Sequence, residues 1–314
     1  MPKKSRPRFG SLQYWPRKRA RKALPSVNWK VINGSEILGF IVYKVGMKSA
    51  IVKDNTPNSM TKGKRIELPV TILEAPFMKI FSVRLYKNNK VLKEIILNSD
   101  TELKKILKLP KNLGKIEDLE KDSFDNIKVI AYSQVKSTNI KKTPDLVEIG
   151  IGGSKEEKIN FIKENAKKEI SILEVFKNSE LVDVRGLTKG RGLSGPVKRF
   201  GIGLKSHKSE KGRRRPGSLG PWHPARVTFR VPMSGQLGMF TRINYNNKII
   251  SLAKITEKNI NPSSGFKHFG NIKTEYLILS GSVQGPSKRQ LLLTKSLRKT
   301  KKQDKKNYEL IDLN

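Results

Sequence analysis

The residues from Arg185 to Arg242 constrain this chain more than any other stretch. They hold 14 lysines and arginines, 11 glycines and one acid, Glu210. No apolar periodicity runs through them, so the segment has no face of its own to bury. Like charges this dense repel unless a counter-charge lies between them. Something outside the loop must hold it, and that partner must be a polyanion. Nucleic acid is the first candidate, because each neutralised phosphate releases condensed counterions.

The whole chain repeats the imbalance. Its 314 residues carry a net charge of +38, a pI near 10.3 and only 36% hydrophobic residues. That length allows one large or two ordinary domains, with a modest core carrying extended arms. There is no cysteine, which removes disulfides, thiolate metal sites and cysteine nucleophiles together and suits a reducing compartment. Met1-Pro2-Lys3-Lys4-Ser5-Arg6 has no apolar stretch after its charges and does not read as a signal peptide. No run approaches the roughly 18–20 apolar residues of a membrane span. A cytoplasmic protein with no membrane partner is expected.

Charge divides the chain into regions. Residues 1–35 hold no acid, and Lys3 to Lys22 carries nine cations interleaved with Phe9, Tyr14 and Trp15 and with Pro2, Pro7 and Pro16. This reads as a basic N-terminal arm in which Arg6, Arg8, Arg17, Arg19 and Arg21 contact phosphate and the rings stack on bases. Residues 36–90 alternate short β-branched runs with turns, among them Glu36 to Met47, Lys48 to Val52, Arg65 to Glu74 and Phe77 to Tyr86. They open a β-barrel or sandwich that residues 181–294 complete with strands at Lys248 to Ile255, Thr274 to Val283 and Gln290 to Thr294. Residues 91–180 hold 17 cations against 16 acids and read as an inserted α+β domain. It has a short helix over Thr101 to Lys108, strands at Ile127 to Val135 and Leu146 to Ile151, and helical spacing over Lys155 to Phe176. A central basic finger loop occupies 195–245 and a basic C-terminal tail 295–314. The expected class is therefore α+β, mainly β.

The motifs favour binding over catalysis. Gly190-Arg191-Gly192-Leu193-Ser194-Gly195 fits a dinucleotide-binding pattern, but Pro196 follows at once, no helical periodicity comes after it, and no acid stands about 20 residues on. Its glycines are better read as letting a backbone approach phosphates, with Lys189, Arg191, Lys198 and Arg199 alongside. Lys205, Lys208, Lys211, Arg213, Arg214 and Arg215 continue the cationic run, where planar guanidinium forks suit phosphate and base faces. Arg226 and Arg242 extend it. Trp222-His223-Pro224 sits at the turn of the loop with little apolar material nearby, which points to stacking on a base or wedging between RNA elements, with a satellite hydrophobic contact as the alternative. The three histidines, His207, His223 and His268, show no ligand spacing, so no metal is expected. No catalytic constellation, cofactor motif or small-molecule site is found.

The block from Phe176 to Arg199, with Asp183, Gly186, Thr188, Gly190, Arg191, Gly192, Gly195 and Arg199 at its defined positions, resembles the signature of the universal large-subunit ribosomal protein L-three family. Gly220 to Val227, the N-terminal Pro7-Arg8-Phe9-Gly10-Ser11-Leu12 and the stretch from Thr143-Pro144-Asp145 to Gly153 resemble its archaeal and eukaryotic members, and the chain's length resembles the archaeal form. The resemblance implies a barrel of the translation-factor type with an inserted domain, and an arm and finger that thread into large-subunit rRNA. It also implies a finger tip with Trp222 near the peptidyl-transferase centre, a role in subunit assembly, neighbouring ribosomal proteins as partners, and no enzymatic activity. Two rivals stand beside it. One is a sequence-independent DNA-compacting protein; the other is a nucleotide-using enzyme resting on the glycine motif.

Overall fold

A computed structural model describes residues 14–119, 123–208 and 211–314. Arg6, Arg8 and Phe9 of the expected arm, and Glu210, lie outside the described residues. The chain divides into two compact units. One comprises Ala23–Gly186 with Arg242–Asn314. The other comprises Leu187–Thr241 with the described part of Met1–Lys22.

The chain is mainly β. In order its strands are β1 (Gly39–Asp54), β2 (Arg65–Ala75), β3 (Met78–Lys87), β4 (Lys90–Ile96), β5 (Asn126–Ser133), β6 (Leu146–Gly150) and β7 (Leu181–Leu187). They continue with β8 (Leu193–Ser194), β9 (Gly235–Gln236), β10 (Thr241–Lys254), β11 (Glu275–Ser280), β12 (Gln290–Lys295) and β13 (Tyr308–Leu313). Helices are short: α1 (Lys155–Asn165), α2 (Ile172–Val175), α3 (Pro196–Phe200) and α4 (Lys301–Asp304).

In the larger sheet the strand order is β12-β7-β10-β11-β2-β1-β13, and β12 also pairs with β1, so the sheet closes on itself. The length of β1 makes closure possible. Gly39 to Tyr43 pair with β12, Ala50 to Asp54 pair with β13, and β2 follows the opposite edge. The sequence divides β1 into two short strands at Met47/Lys48; the structure runs through that point in unbroken register with β2, and the irregularity in this pairing lies earlier, between Lys44 and Gly46, a bulge that bends the strand without ending it. Successive residues of β2 and β11 enter different core clusters, Leu73 and Leu277 one, Ile72 and Ile278 another. Both faces are thus covered, which explains their continuous apolar runs.

The second sheet has the order β4-β3-β5-β6. Here β3 departs from expectation, since 36–90 had been assigned to the first sheet. The β2–β11 ladder ends at Ala75, and Pro76, lacking an N–H, cannot extend it; β3 then pairs with β4 and β5. The helical run expected over 155–176 also divides. Capping boxes at Ser154/Glu157 and Ser171/Glu174 start α1 and α2, while between them Ile170 exchanges backbone hydrogen bonds with Met78 at 2.8 and 3.1 Å. Thr101 to Lys105 forms only a 3-10 turn.

Residues 23–35 and the C-terminal segment are more structured than their charge implies. Leu24, Trp29 and Ile32 are buried. Trp29 lies against Gly39 and Gly150, where an added Cβ would come within 2.8 and 2.6 Å of its side chain, and its indole N–H donates to the Glu148 carbonyl at 3.0 Å. The expected tail at 295–314 ends in β13. Tyr308, Leu310 and Leu313 pack against the second core cluster while Glu309 and Asp312 stay exposed; the alternation marks a strand that charge counting overlooked.

Carboxylates organise the larger unit as hydrogen-bond acceptors. The buried acids among the described residues are Asp54, Glu74, Asp183 and Glu275. Asp54 accepts from the Thr56 N–H and from the Ser59 and Thr61 hydroxyls. Glu275 accepts from the Ser171 hydroxyl and the Ile172 N–H at the start of α2. Asp183 accepts from the N–H groups of Asn246 at 2.9 Å and Leu297 at 3.0 Å, fastening β10 and the segment after β12 to β7. The Tyr43 hydroxyl bonds Ser133 and Asp145, joining β1 to the second sheet.

Two outcomes follow from these anchors. Asp183→Ala strands both N–H groups and should lower unfolding free energy by about 3 kcal/mol in chemical denaturation, with an unchanged m-value. A loss near zero would show that water replaces the carboxylate. Burial raises the Glu74 carboxyl above its ordinary range, partly offset by the Lys273 and Thr274 N–H groups and the Thr274 hydroxyl. The folded state therefore holds the proton more tightly than the unfolded chain. The stability this gives is complete below the unfolded pKa and declines as pH rises through the folded one. Glu74→Gln should flatten that decline in thermal melts above about pH 4.5; an unaltered pH profile would assign the decline to another group.

Candidate nucleic-acid interface

The smaller unit carries most of the sequence-predicted contacts. Its base is a backbone ladder. The Arg191 N–H donates to the Leu237 carbonyl and the Leu237 N–H to the Gly192 carbonyl, both at 2.9 Å, beside the β8–β9 pair. Gly238 has φ +79°, and a Cβ there would stand 1.9 Å from the Lys189 carbonyl oxygen. It is Gly238, outside the dinucleotide-like pattern, that lets the two backbone segments close on each other; an added Cβ at Gly192 or Gly195 would meet nothing within 4 Å. The sequence reading gave the pattern's glycines to phosphate; the N–H of Arg191 is instead used internally. That reading also expected no helix after Pro196, yet α3 follows with Gly195 as its cap. At five residues it sums too few peptide dipoles to hold a pyrophosphate.

Arg199 closes this base. Its Nε donates to the Gln236 carbonyl at 3.0 Å, Nη1 to those of Met233 and Ser234 at 3.0 and 3.4 Å, and Nη2 to that of Arg17 at 3.3 Å. Arg17 returns a bond from Nη1 to the Arg199 carbonyl at 2.9 Å and lies 4.1 Å from the Phe200 ring centroid. Trp15 packs on Phe200 and Phe229 at centroid distances of 6.2 and 5.7 Å. Trp15 and Arg17 of the arm and the finger base are therefore one packed cluster with cation–π contacts. Burial lowers the Arg199 pKa, consistent with a guanidinium turned towards carbonyls. Arg17 and Arg199, both expected to contact phosphate, are half-buried and make these bonds within the protein.

The remaining predicted residues face outward. Arg19, Arg21, Lys189, Arg191, Lys198, Lys208, Lys211, Arg213, Arg214, Arg215, His223 and Arg226 are exposed, and Lys205 and Arg242 are half-buried. Arg213 Nε donates to the Lys205 carbonyl at 3.1 Å and the Lys205 N–H returns a bond to Arg213, which pins one cation-bearing turn. Residues 221–230 are exposed without interruption, and Trp222 is 86% exposed. A bare indole on a cationic loop is costly in water and suited to stacking. Leu193, 82% exposed between Gly192 and Ser194, is a surface position that sequence reasoning missed because nothing in the pattern marks an outward leucine.

The model of the family described as "Ribosomal protein L3" matches residues 1–105 and 97–314. The chain belongs to this family. It is 40% identical over 309 residues to "Large ribosomal subunit protein uL3" of Methanocaldococcus jannaschii, covering 94% of this chain and 92% of the relative. It is 38% identical over 310 residues to the protein of the same name from Archaeoglobus fulgidus, covering 94% and 93%. The L3-family match supports the archaeal type expected from sequence, and its description is that of a ribosomal protein and not of an enzyme. Among the described residues no group of three or more His, Asp or Glu side chains could hold a metal ion, and no helix is long and apolar enough to cross a membrane.

For this L3-family chain, Arg199→Ala should loosen the base of the smaller unit before it alters any external contact. Amide exchange at Arg191 and Leu237 should speed by about 30-fold, the equivalent of roughly 2 kcal/mol. Arg199→Lys should not restore protection, because one ammonium cannot span carbonyls that a planar fork reaches. Unchanged exchange in both variants would show that the aromatic cluster alone holds the base.

Proposed function

We propose that this chain is a structural rRNA-binding protein of the large ribosomal subunit in the cytoplasm, with large-subunit rRNA and neighbouring ribosomal proteins as its partners. The observation that carries the proposal is the run of exposed cations from Lys208 to Arg226, with Trp222 bare among them, on a chain whose relatives are named for the large subunit. The closed sheet serves as a barrel of the translation-factor type that docks on the rRNA surface. The finger and N-terminal arm enter between helices whose phosphates would otherwise repel, and their lysines and arginines supply the counter-charge. The finger supports the region near the peptidyl-transferase centre, Trp222 stacks near its tip, and the whole promotes subunit assembly. Arginines 213–215 contact phosphate; Arg213 also shapes the loop, so Arg214 is the cleaner probe.

Sedimentation of a tagged chain from its native cells through sucrose tests the class. Salt-resistant co-migration with the large subunit is expected; recovery in free or chromatin fractions would overturn it. Arg214→Ala should lower affinity for cognate rRNA and reduce the slope of log K against log salt by about 1. Equal affinity of the parent chain for duplex DNA at physiological salt would favour DNA compaction instead.

A further inference from the structure

Three cationic side chains are buried among the described residues: Lys44, Arg185 and Lys248. Burying a charge is costly unless hydrogen bonds replace water. Lys44 Nζ donates to the carbonyls of Val283 and Gly285 at 2.6 and 3.2 Å, and Lys248 Nζ to that of Asp304 at 2.9 Å. Arg185 differs. It is 7% exposed, and its one hydrogen bond among the described residues runs from Nε to the Thr294 hydroxyl at 3.2 Å. Among the described residues neither terminal nitrogen of its fork has an acceptor, and neither is fully buried, so the end of the fork stays open to solvent. The nearest acid in sequence, Asp183, stands two residues away on the same face of β7, but its two oxygens accept from Asn246 and Leu297, and it forms no ion pair with Arg185. Burial lowers the Arg185 pKa, with Asp183 and Tyr245 opposing it.

The surroundings say what would satisfy the fork. Val182 and Val184 belong to the core cluster, so strand alternation turns Asp183 and Arg185 to the opposite face of β7. Asp183 and Asn246 hold down the segment that follows β12, through the Leu297 N–H and the Arg298 carbonyl. Residues 295–302 of that segment carry Lys295, Arg298, Lys299, Lys301 and Lys302 and no acid. On the adjacent strand β10, Tyr245 is 51% exposed. A stem gripped by the sheet, a fork with two unmade edges, a row of cations and a bare ring together fit a nucleic-acid backbone better than a lone carboxylate, because several anions in series are called for.

We propose that Arg185, with its stem locked between β7 and β12, is a preformed phosphate-binding site on the closed sheet, taking an RNA phosphodiester bidentately beside the basic segment 295–302. This rests on the rRNA reading above and adds to it a rigid contact outside the finger and arm. Because the fork is already oriented, it loses little side-chain freedom on binding.

The test compares the full-length parent chain with Arg185→Met and, in parallel, Arg214→Ala, each titrated with cognate large-subunit rRNA over a range of salt. Methionine keeps the apolar stem and removes the guanidinium. Arg185→Met should melt no lower than the parent, weaken RNA binding by about tenfold or more, and reduce the salt slope by about 1. An unchanged slope and affinity for Arg185→Met, with a loss for Arg214→Ala, would overturn this site and leave the rRNA reading standing; no change in either would overturn both. If Arg185→Met fails to fold, the Arg185 Nη resonances of the parent chain decide. Restricted rotation and slowed proton exchange on adding rRNA would support the site, and free rotation would overturn it. Loss of a neighbouring ribosomal protein from subunits carrying the variant, with RNA binding intact, would assign the fork to a protein carboxylate and also overturn the proposal.

Discussion

The structure depends on where a small number of carboxylates go. With 65 lysines and arginines against 27 acids, the chain cannot neutralise itself. In the larger unit the buried acids are held mainly by hydrogen bonds, and among the described residues none of them forms a close ion pair. Asp54, Glu74, Asp183 and Glu275 accept hydrogen bonds from backbone N–H groups and hydroxyls, closing turns and fastening strands. An acid used this way satisfies donors that the sheet ladder cannot reach. Ion pairs such as Arg84–Glu94 at 2.8 Å and Lys128–Glu148 at 3.0 Å join strands of the second sheet. Uncompensated positive charge is thereby left to the finger, the arm and the segment after β12.

That division gives the smaller unit an unusual basis for order. It has little apolar material, so its base is built from what it has in excess. Arg199 and Arg17 supply donors to backbone carbonyls, three aromatic rings supply packing, and Gly238 lets the backbone segments approach. Arginine here performs the work that a hydrophobic core performs elsewhere. Beyond the base the cations turn outward, and the loop from 221 to 230 carries side chains without regular structure beneath them. A packed base with a cationic, irregular extension leaves the loop's charged side chains free of backbone ladders and open to solvent.

Much of this is legible in the residues. The strands β2, β7, β11 and β12 follow from apolar, β-branched runs, the helical spacing after Lys155 predicts α1, and the charge contrast separates the second sheet from the rest. The signature block around Asp183 and Arg199 carries the family. Other features are not legible for identifiable reasons. Bulges such as that at Gly46 preserve composition and change only register. Pro76 redirects β3, but a proline at a strand end does not say which sheet receives the next strand. Charge counting hides β13 and the buried Trp29, because a strand edge or a packed indole depends on distant glycines and partners.

The sequence by itself determined the polyanion-facing character of the chain, its family and most of its strands, because charge, periodicity and a long motif are local properties. Tertiary structure alone decided the role of each arginine. Arg17 and Arg199 became internal clasps, Arg214 stayed exposed, and Arg185 was buried with an unfilled fork. A guanidinium has the same charge in every case. Only the carbonyls, hydroxyls and carboxylates that folding brings within about 3 Å determine whether that charge is consumed within the protein or offered outside it.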